Sequence, residues 1–327
     1  MDIIKCVNQG LLSHRKLVSM KKISKKNILR KATSIFTGIL LLTCIHTSAQ
    51  DVNFSQSFSN PLLLNPAYAG SIGCSRVATG FGGQWNNRLL IYLRTAISYD
   101  QYVPKLHSGF GIGFTHKDSP NENNINVSIY YSFNIKINEN FQIRPALNLG
   151  LGRCNFNFDS SLPRPSELGN NYGNCGAGLL FRYKDLIAGI SYDHLNRPVT
   201  NSYWDYPLAR KLIIHANYMV DFNGKAFLTP GIIYKKQKDF EEMNYSLLLK
   251  VWKIKCGARF RQNFYNADSF TGMIGFCAKQ LSIGYSYSLM VSKLSNSTTG
   301  VHEISAVFKF NCKNDKEKYR ISQLDGF

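Results

Sequence analysis

Two short stretches of the sequence carry residue types that could do acid–base or metal chemistry. Tyr192, Asp193 and His194 are consecutive, and a carboxylate with a histidine is a common acid–base pair. The surrounding pattern predicts a strand, where adjacent side chains point to opposite faces, so Asp193 and His194 should not pair. His302 opens the stretch HEISA, half of the zinc-protease motif HExxH, but Ala306 stands where the second histidine is needed. We therefore expect no catalytic residues, no metal site and no cofactor.

A glycine-rich stretch could be mistaken for a nucleotide-binding loop. In SGFGIGFTH, Gly109, Gly111 and Gly113 alternate with bulky apolar residues. A phosphate-binding loop would be followed by a helix, whereas this alternation predicts a strand. The glycines then form a smooth patch on one wall, either for closure of the sheet or as room for a strand, plug or peptide.

Cysteine spacing also argues against metal chemistry. Six cysteines follow the N-terminal segment, and no two have CxxC spacing, so a zinc or thiol-redox motif is not expected. Cys74 and Cys312 flank the first and last predicted strands and could meet if those strands close a barrel. Cys256 and Cys277 fall on neighbouring strands with opposite parity. We expect mostly free cysteines, and the sequence leaves any disulfide open.

The N-terminal 49 residues predict export. A basic segment at 21–31 precedes the apolar run SIFTGILLLTCI and the small residues TSA before Gln50. We interpret residues 1–49 as a signal peptide cleaved near Ala49/Gln50, with Met20 as the true start. The alternative, lipidation at Cys44, is disfavoured because Thr43 stands where a smaller residue is expected.

Composition restricts the class of protein further. The 327-residue chain has a net charge of +19, but residues 1–49 hold nine of its 39 Lys and Arg. The remaining positive charge is scattered, without a basic helix or basic-aromatic patch, so we expect no nucleic-acid binding. A mean hydropathy of −0.19 is too polar for a helical membrane protein and fits strands that alternate apolar and polar residues.

The elements that must carry these residues are long alternating strands. LSIGYSYSL and INVSIYYSFNIKI alternate apolar and polar residues over roughly 10 positions, the length of a membrane strand rather than the roughly 5–6 of a soluble one. Short turns, as at 184–185, alternate with links predicted to be longer, such as 117–124 and 236–242. We therefore predict an all-β fold, an outer-membrane antiparallel β-barrel of about 14 strands over residues 74–310, with both termini periplasmic. Pro145 and Pro230 fall inside predicted strands, with only a local bulge to explain them.

The segment before the barrel cannot be a strand. In NPLLLNPAYAG, residues 60–70, two prolines lack ladder N–H groups and restrict the asparagines before them. We predict that residues 50–73, here called the leader, form a rigid periplasmic segment that packs under the barrel, folds into its mouth or docks a partner. The polar tail, residues 311–327, is either solvated or a docking segment.

Candidate partner-binding residues come from two places. One is the leader, and the other is the aromatic loop at 196–207, which equally fits an interfacial aromatic belt. The candidates are Asn60, Pro61, Asn65, Pro66, Tyr68, Tyr203, Trp204 and Tyr206.

Three stretches together resemble a known family. They are QDVNFSQSFSNPLLLNPAYAGS, HSGFGIG and SIGYSYSLMVSKLSNSTTGVHEISAVFKF, and they are similar to the PorP/SprF family of type IX secretion system membrane proteins. Two positions depart from the family pattern, Ser288 in place of Asp and Val301 in place of Ser.

The resemblance implies a non-enzymatic outer-membrane barrel that supports export or surface attachment of proteins with C-terminal sorting domains, including gliding adhesins. The implied partners are other type IX components, a periplasmic peptidoglycan-linked lipoprotein, secreted cargo or a surface adhesin, and outer-membrane lipid. The alternative functions are a passive porin or solute channel, and a hydrolase, for which the sequence places no acid–base pair on one wall.

Overall fold

The computed structural model describes residues 54–86, 89–120, 122–157, 167–200, 207–263, 267–291, 300–310 and 312. The predicted signal peptide lies outside the described residues, as does the tail apart from Cys312. Three of the candidate partner-binding residues also lie outside them: Tyr203, Trp204 and Tyr206.

The described chain is almost entirely β-strand. The strands are β1 (Ser75–Asn86), β2 (Leu89–Val103), β3 (Ser108–Ser119), β4 (Glu122–Phe133), β5 (Ile135–Lys136), β6 (Phe141–Asn157), β7 (Glu167–Tyr183), β8 (Leu186–Asp193), β9 (Lys211–Tyr218), β10 (Val220–Phe222), β11 (Ala226–Gln237), β12 (Phe240–Val251), β13 (Ile254–Asn263), β14 (Ala267–Cys277), β15 (Leu281–Met290) and β16 (Val301–Phe310). Three single-turn 3₁₀ helices span Pro61–Leu63, Pro66–Tyr68 and Pro104–Leu106. Within the described ranges, no helix is long and apolar enough to cross a membrane.

The strands form one closed antiparallel barrel. Neighbours in sequence pair with one another, and β16 returns to pair with β1 from Ser75–Phe310 to Gln84–Val301. The short strand β5 pairs with β6, as β4 does, and the short strand β10 pairs with β11, as β9 does. Each short strand is thus a continuation of the strand before it, so the wall has fourteen strands. The predicted fold and strand number are confirmed, while the periplasmic location of the termini stays a prediction.

Side chains divide between the two faces of the wall as the alternation predicts. In β15 the residues Ile283, Tyr285 and Leu289 are exposed, whereas Ser286 and Ser288 are buried inside. Water-excluding lipid on the outside favours the apolar residues there, and polar residues then line the interior.

The two rims of the barrel differ in their links. One rim, here called the turn end, has six short links: those that follow β2, β5, β7, β10, β12 and β14. The other rim, the loop end, carries the remaining links. The links predicted at 236–242 and 117–124 are shorter than expected, because β11 runs to Gln237 and β12 begins at Phe240, and β3 and β4 likewise approach within two residues. Inward-facing ion pairs, Lys235–Glu242 at 3.0 Å and Lys117–Glu122 at 2.7 Å, extend these hairpins beyond the expected strand ends.

Both strand prolines lie opposite a break in a neighbouring strand. Pro145 in β6 faces the gap between β4 and β5, where Asn134 instead donates its N–H to the His107 carbonyl. Pro230 in β11 faces the gap between β9 and β10, where Met219 donates to the Asp185 carbonyl. Each proline therefore lies where the adjacent strand offers no pairing, and an interruption of the neighbour replaces the expected bulge.

The ends of the barrel seam are joined covalently. Cys74, just before β1, forms a disulfide with Cys312, just after β16, with Cα atoms 4.7 Å apart. Cys256 is exposed on the outer face and Cys277 is buried inside, as their parity predicts. The four cysteines within the described strands, Cys154, Cys175, Cys256 and Cys277, are free.

Candidate functional site

The leader lies inside the barrel. Most of its described residues, 54–73, are buried, and Asn65, Ala67, Ala69 and Ile72 have no measurable exposure. Each Asn-Pro step begins a 3₁₀ turn, where proline fits because the first N–H of a helix has no internal partner. Asn65 caps the second turn by accepting the N–H of Ala67 at 2.9 Å. The leader is therefore a folded segment within the lumen, and its predicted rigidity and periplasmic location stay predictions.

The side chain of Asn65 fits a slot in the inner wall. Its Nδ2 donates to the carbonyls of Leu179 in β7 and Ile190 in β8, both at 3.1 Å. Two glycines beside these carbonyls leave room for the amide, because a Cβ at Gly178 or Gly189 would lie 2.2 or 2.8 Å from it. The wall is thus shaped to receive this asparagine.

The glycine stretch of β3 forms a second slot. A Cβ at Gly109 would lie 1.9 Å from the carbonyl oxygen of Ala69 in the leader. That oxygen accepts hydrogen bonds from Ser132 Oγ at 2.8 Å and Arg144 Nη2 at 2.7 Å. Of the uses predicted for the smooth glycine patch, room for a plug is the one observed, and the plug is the chain's own leader. At Gly111, a Cβ would approach Leu62 to 3.0 Å.

A buried ion pair holds the leader where it enters β1. Arg76 Nε lies 2.8 Å from Asp100 Oδ1, and both side chains are almost fully buried. Asp100 Oδ2 also accepts the N–H of Gly70 at 2.8 Å, and Arg76 Nη2 donates to the Tyr68 carbonyl at 3.2 Å. Buried charges need partners of this kind to offset their loss of hydration.

Glu303 holds the other end of the leader. Its carboxylate accepts the N–H groups of Ser55, at 2.8 and 3.0 Å, and of Gln56, at 3.2 Å. Arg94 Nη2 donates to the same carboxylate at 2.7 Å. Glu303 is buried in the interior, where the acidic residue of HEISA binds backbone amides.

Apolar packing fills the space between these polar anchors. Tyr68 stacks on His215 with ring centroids 5.5 Å apart. The cluster joins leader residues to inward-facing wall residues, and its buried members are Phe58, Leu62, Leu64, Ala67, Tyr68, Ala69, Tyr130, Ala146, Leu180, Ile187, Ile213 and Ile233. A barrel interior with an apolar core of this size differs from a polar, water-filled channel.

The two stretches with possible chemistry have structural roles. Asp193 Oδ1 accepts hydrogen bonds from Asn148, Asn174 and the His194 backbone, at 3.0–3.3 Å. The His194 ring bonds Oδ1 of the same Asn174 at 2.8 Å. His194 lies just beyond β8, which ends at Asp193, so the opposite faces predicted for the two residues are not observed. His302 bonds the Tyr285 hydroxyl at 2.7 Å on the outer face. Among the described residues, no three or more His, Cys, Asp or Glu side chains are grouped to hold a metal ion.

Comparison with known proteins identifies the family. The family model for the type IX secretion system membrane protein PorP/SprF matches residues 46–308. The chain belongs to the PorP/SprF family. No curated protein sequence matches it significantly.

Solved structures similar to this PorP/SprF protein are outer-membrane barrels. The CymD monoaromatic hydrocarbon channel is 12% identical, with a TM-score of 0.51, and the match covers 78% of this chain and 93% of that one. The Ralstonia pickettii toluene transporter TbuX is 10% identical, with a TM-score of 0.50, and the match covers 76% and 93%. At this identity the likeness shows the fold, and together with the family it supports an outer-membrane location.

The structure brings the leader candidates together in the interior. Asn60, Pro61, Asn65, Pro66 and Tyr68 are all buried there, and partner binding by these residues stays a prediction. The wall residues that bond other parts of the leader, Asp100, Arg144 and Glu303, were not predicted as site residues. The available signal was a charge at an inward-facing strand position.

Proposed function

We propose that this PorP/SprF protein is a non-enzymatic component of the type IX secretion system. It supports export or surface attachment of proteins with C-terminal sorting domains, gliding adhesins among them. Membership of the PorP/SprF family supports the assignment to the type IX secretion system. The proposed role in export or attachment rests on one observation, the leader that fills the lumen.

The filled lumen argues for a scaffold rather than a passive channel. A porin needs a continuous water-filled path, whereas here Phe58, Leu62 and Tyr68 pack against the inner wall. Hydrogen bonds hold the leader from Ser55 to Gly70, and their wall partners come from β2, β4, β6, β7, β8 and β16. A segment anchored at so many points is not a loosely hinged gate.

We further propose which partners meet each rim. The turn end faces the periplasm, where the leader stabilises the barrel mouth against other type IX components and a peptidoglycan-linked lipoprotein. The loop end faces outside and meets cargo or adhesin, with Tyr203, Trp204 and Tyr206 as the candidate contacts. In this arrangement the leader acts as a fixed support, because a preformed surface loses little entropy on binding.

The test is a surface-protein inventory of a strain that lacks the gene, compared with its parent and with a strain carrying the restored gene. We expect loss of one or a few proteins with C-terminal sorting domains, and their return on restoration. Loss of all such proteins would make the chain a core part of the machine. An unchanged surface with altered solute uptake would overturn the proposal in favour of a porin.

Conductance of the purified barrel in planar bilayers gives a second, independent reading. We expect little ion flow through the wild-type barrel because the leader occupies the lumen. Large, steady conductance through most inserted barrels would contradict the occupied-lumen argument.

A further inference from the structure

Lysines are concentrated at the turn end of the barrel. Five of the six turns carry one, and all five side chains are exposed: Lys105, Lys184, Lys225, Lys253 and Lys279. The carboxylates within the same turns are Glu139 and Asp185. Because the turns surround the rim, these lysines form a cationic ring.

The loop end differs from the turn end in the ion pairing of its cations. Some exposed or partly exposed cations there have acidic partners, in the pairs Lys236–Glu241, Lys238–Asp239 and Arg261–Asp268. None of the five turn-end lysines forms an ion pair with another residue of the described ranges. Their charge is therefore available to an anion outside the chain.

Each turn-end lysine lies beside an exposed apolar side chain. Lys253 lies over the ring of Trp252 at 4.8 Å, and Lys184 over Tyr183 at 5.6 Å. Within three residues, Lys105, Lys225 and Lys279 are accompanied by an apolar side chain at least 38% exposed: Leu106, Phe222 and Leu281 respectively. An aromatic or aliphatic group next to a cation is typical of a membrane–water boundary, where one end is apolar and the other wet.

We propose that this lysine ring binds the headgroups of anionic glycerophospholipids in the leaflet at the turn end. The apolar neighbours favour lipid over an acidic protein, because they place each lysine at the edge of the lipid-facing belt. The ring would enrich phosphatidylglycerol-type lipid around this rim and fix the depth of the barrel in the membrane.

The test measures lipid preference of the full chain by native mass spectrometry. Detergent-purified barrel is offered equimolar phosphatidylglycerol and phosphatidylethanolamine, and the retained lipids are counted. The test variant is K105Q/K184Q/K225Q/K253Q/K279Q. The matched control removes five exposed cations from the loop end: R153Q/R197Q/R210Q/K236Q/K238Q. Heat-modifiable migration on gels verifies that each barrel is folded.

We expect wild type and control to prefer phosphatidylglycerol, and the test variant to lose at least about tenfold of that preference. A single lysine near an anionic surface contributes about fivefold, and salt should weaken the preference in wild type. Equal preference in all three proteins would overturn the proposal. Equal loss in test variant and control would also overturn it, since total charge would then be responsible. If the variant with five substitutions does not fold, the double variant K184Q/K253Q is compared with the double control K236Q/K238Q in the same assay.

Discussion

At the scale of single residues, Asn65 and Asn60 separate wall binding from simple burial. Both are buried asparagines in the leader, and each accepts one hydrogen bond at Oδ1, from Ala67 N and from Ser98 Oγ respectively. Only Asn65 Nδ2 has partners, the carbonyls of Leu179 and Ile190, whereas Asn60 Nδ2 has no hydrogen-bond partner within the described chain. The two therefore form a natural pair for substitution.

We predict that Asn65→Asp loosens the leader more than Asn60→Asp does. Both changes keep the acceptor and bury a carboxyl, but only Asn65→Asp loses two hydrogen bonds and places a carboxylate against two carbonyls. The expected difference is about 1–3 kcal/mol in leader opening. Hydrogen exchange of the leader amides, followed by mass spectrometry, measures it. Equal protection in the two variants would show that the Asn65 slot does not hold the leader.

We predict that Gly109→Ala displaces the leader and raises conductance. The new Cβ would meet the Ala69 carbonyl at 1.9 Å, and backbone at both sides of this contact leaves no flexible group to move. Overpacking of this kind costs about 1–3 kcal/mol. Gly272→Ala is the matched control, because a Cβ there meets nothing within 4 Å. Planar-bilayer recordings that match wild type for both variants would refute the prediction.

At this scale, the sequence predicted the face of the wall that some side chains occupy, but not the residues that they contact. Strand parity predicted that Asp193 and His194 point to opposite faces, but β8 ends at Asp193 and both side chains bond Asn174. Parity also predicted opposite faces for Cys256 and Cys277, as observed. It could not predict that Glu303 binds the amides of Ser55 and Gln56, which are nearly 250 positions away in the chain. Such contacts depend on the path of the leader through the lumen, and no local pattern encodes that path.

At the scale of elements, the two strand prolines lie opposite breaks in the pairing of neighbouring strands. Pro145 and Pro230 each face the place where a neighbouring strand breaks, and the residue in each break bonds a turn instead. The alternating pattern predicted the strands and their faces. It did not predict these breaks, because β5 and β10 continue the same alternation after one irregular residue.

We predict that Pro145→Ala is nearly neutral, whereas Ala146→Pro is destabilising. Pro145 has no partner on the side of β4, but Ala146 pairs with Ser132 in β4 and Gly178 in β7, so a proline there removes a ladder bond. We expect a cost of about 1–3 kcal/mol for Ala146→Pro. The temperature at which folded barrel converts to the slower-migrating form on gels reports it. Similar temperatures for both variants would contradict this account of Pro145.

At the scale of the whole molecule, the Cys74–Cys312 disulfide closes a loop of 238 positions around the entire wall. We predict that Cys74→Ala/Cys312→Ala leaves the barrel closed, because β1 and β16 still pair over their length. Stability should fall by about 2–5 kcal/mol, since the unfolded chain is no longer cross-linked. Heat conversion with and without reductant measures the loss. Cys256→Ala, which removes an exposed free thiol, is the control and should match wild type.

The overall architecture was the part most open to prediction. A closed barrel repeats one rule, apolar out and polar in, over fourteen strands, so errors at single strands do not change the conclusion. The position of the leader was not predictable to the same degree. It depends on fitted surfaces, such as the slots at Gly178 and Gly109, that arise only when distant strands are adjacent.

The path of the leader constrains how the protein is made. The leader is synthesised before every strand of the wall, yet its partner Glu303 is in the last strand. Its final contacts cannot form until almost the whole chain has entered the membrane, so folding depends on contacts of very high sequence separation and should be slow. The strands must therefore close into a barrel with the leader already inside. A segment translated ahead of all the strands is thus among the last to reach its native environment.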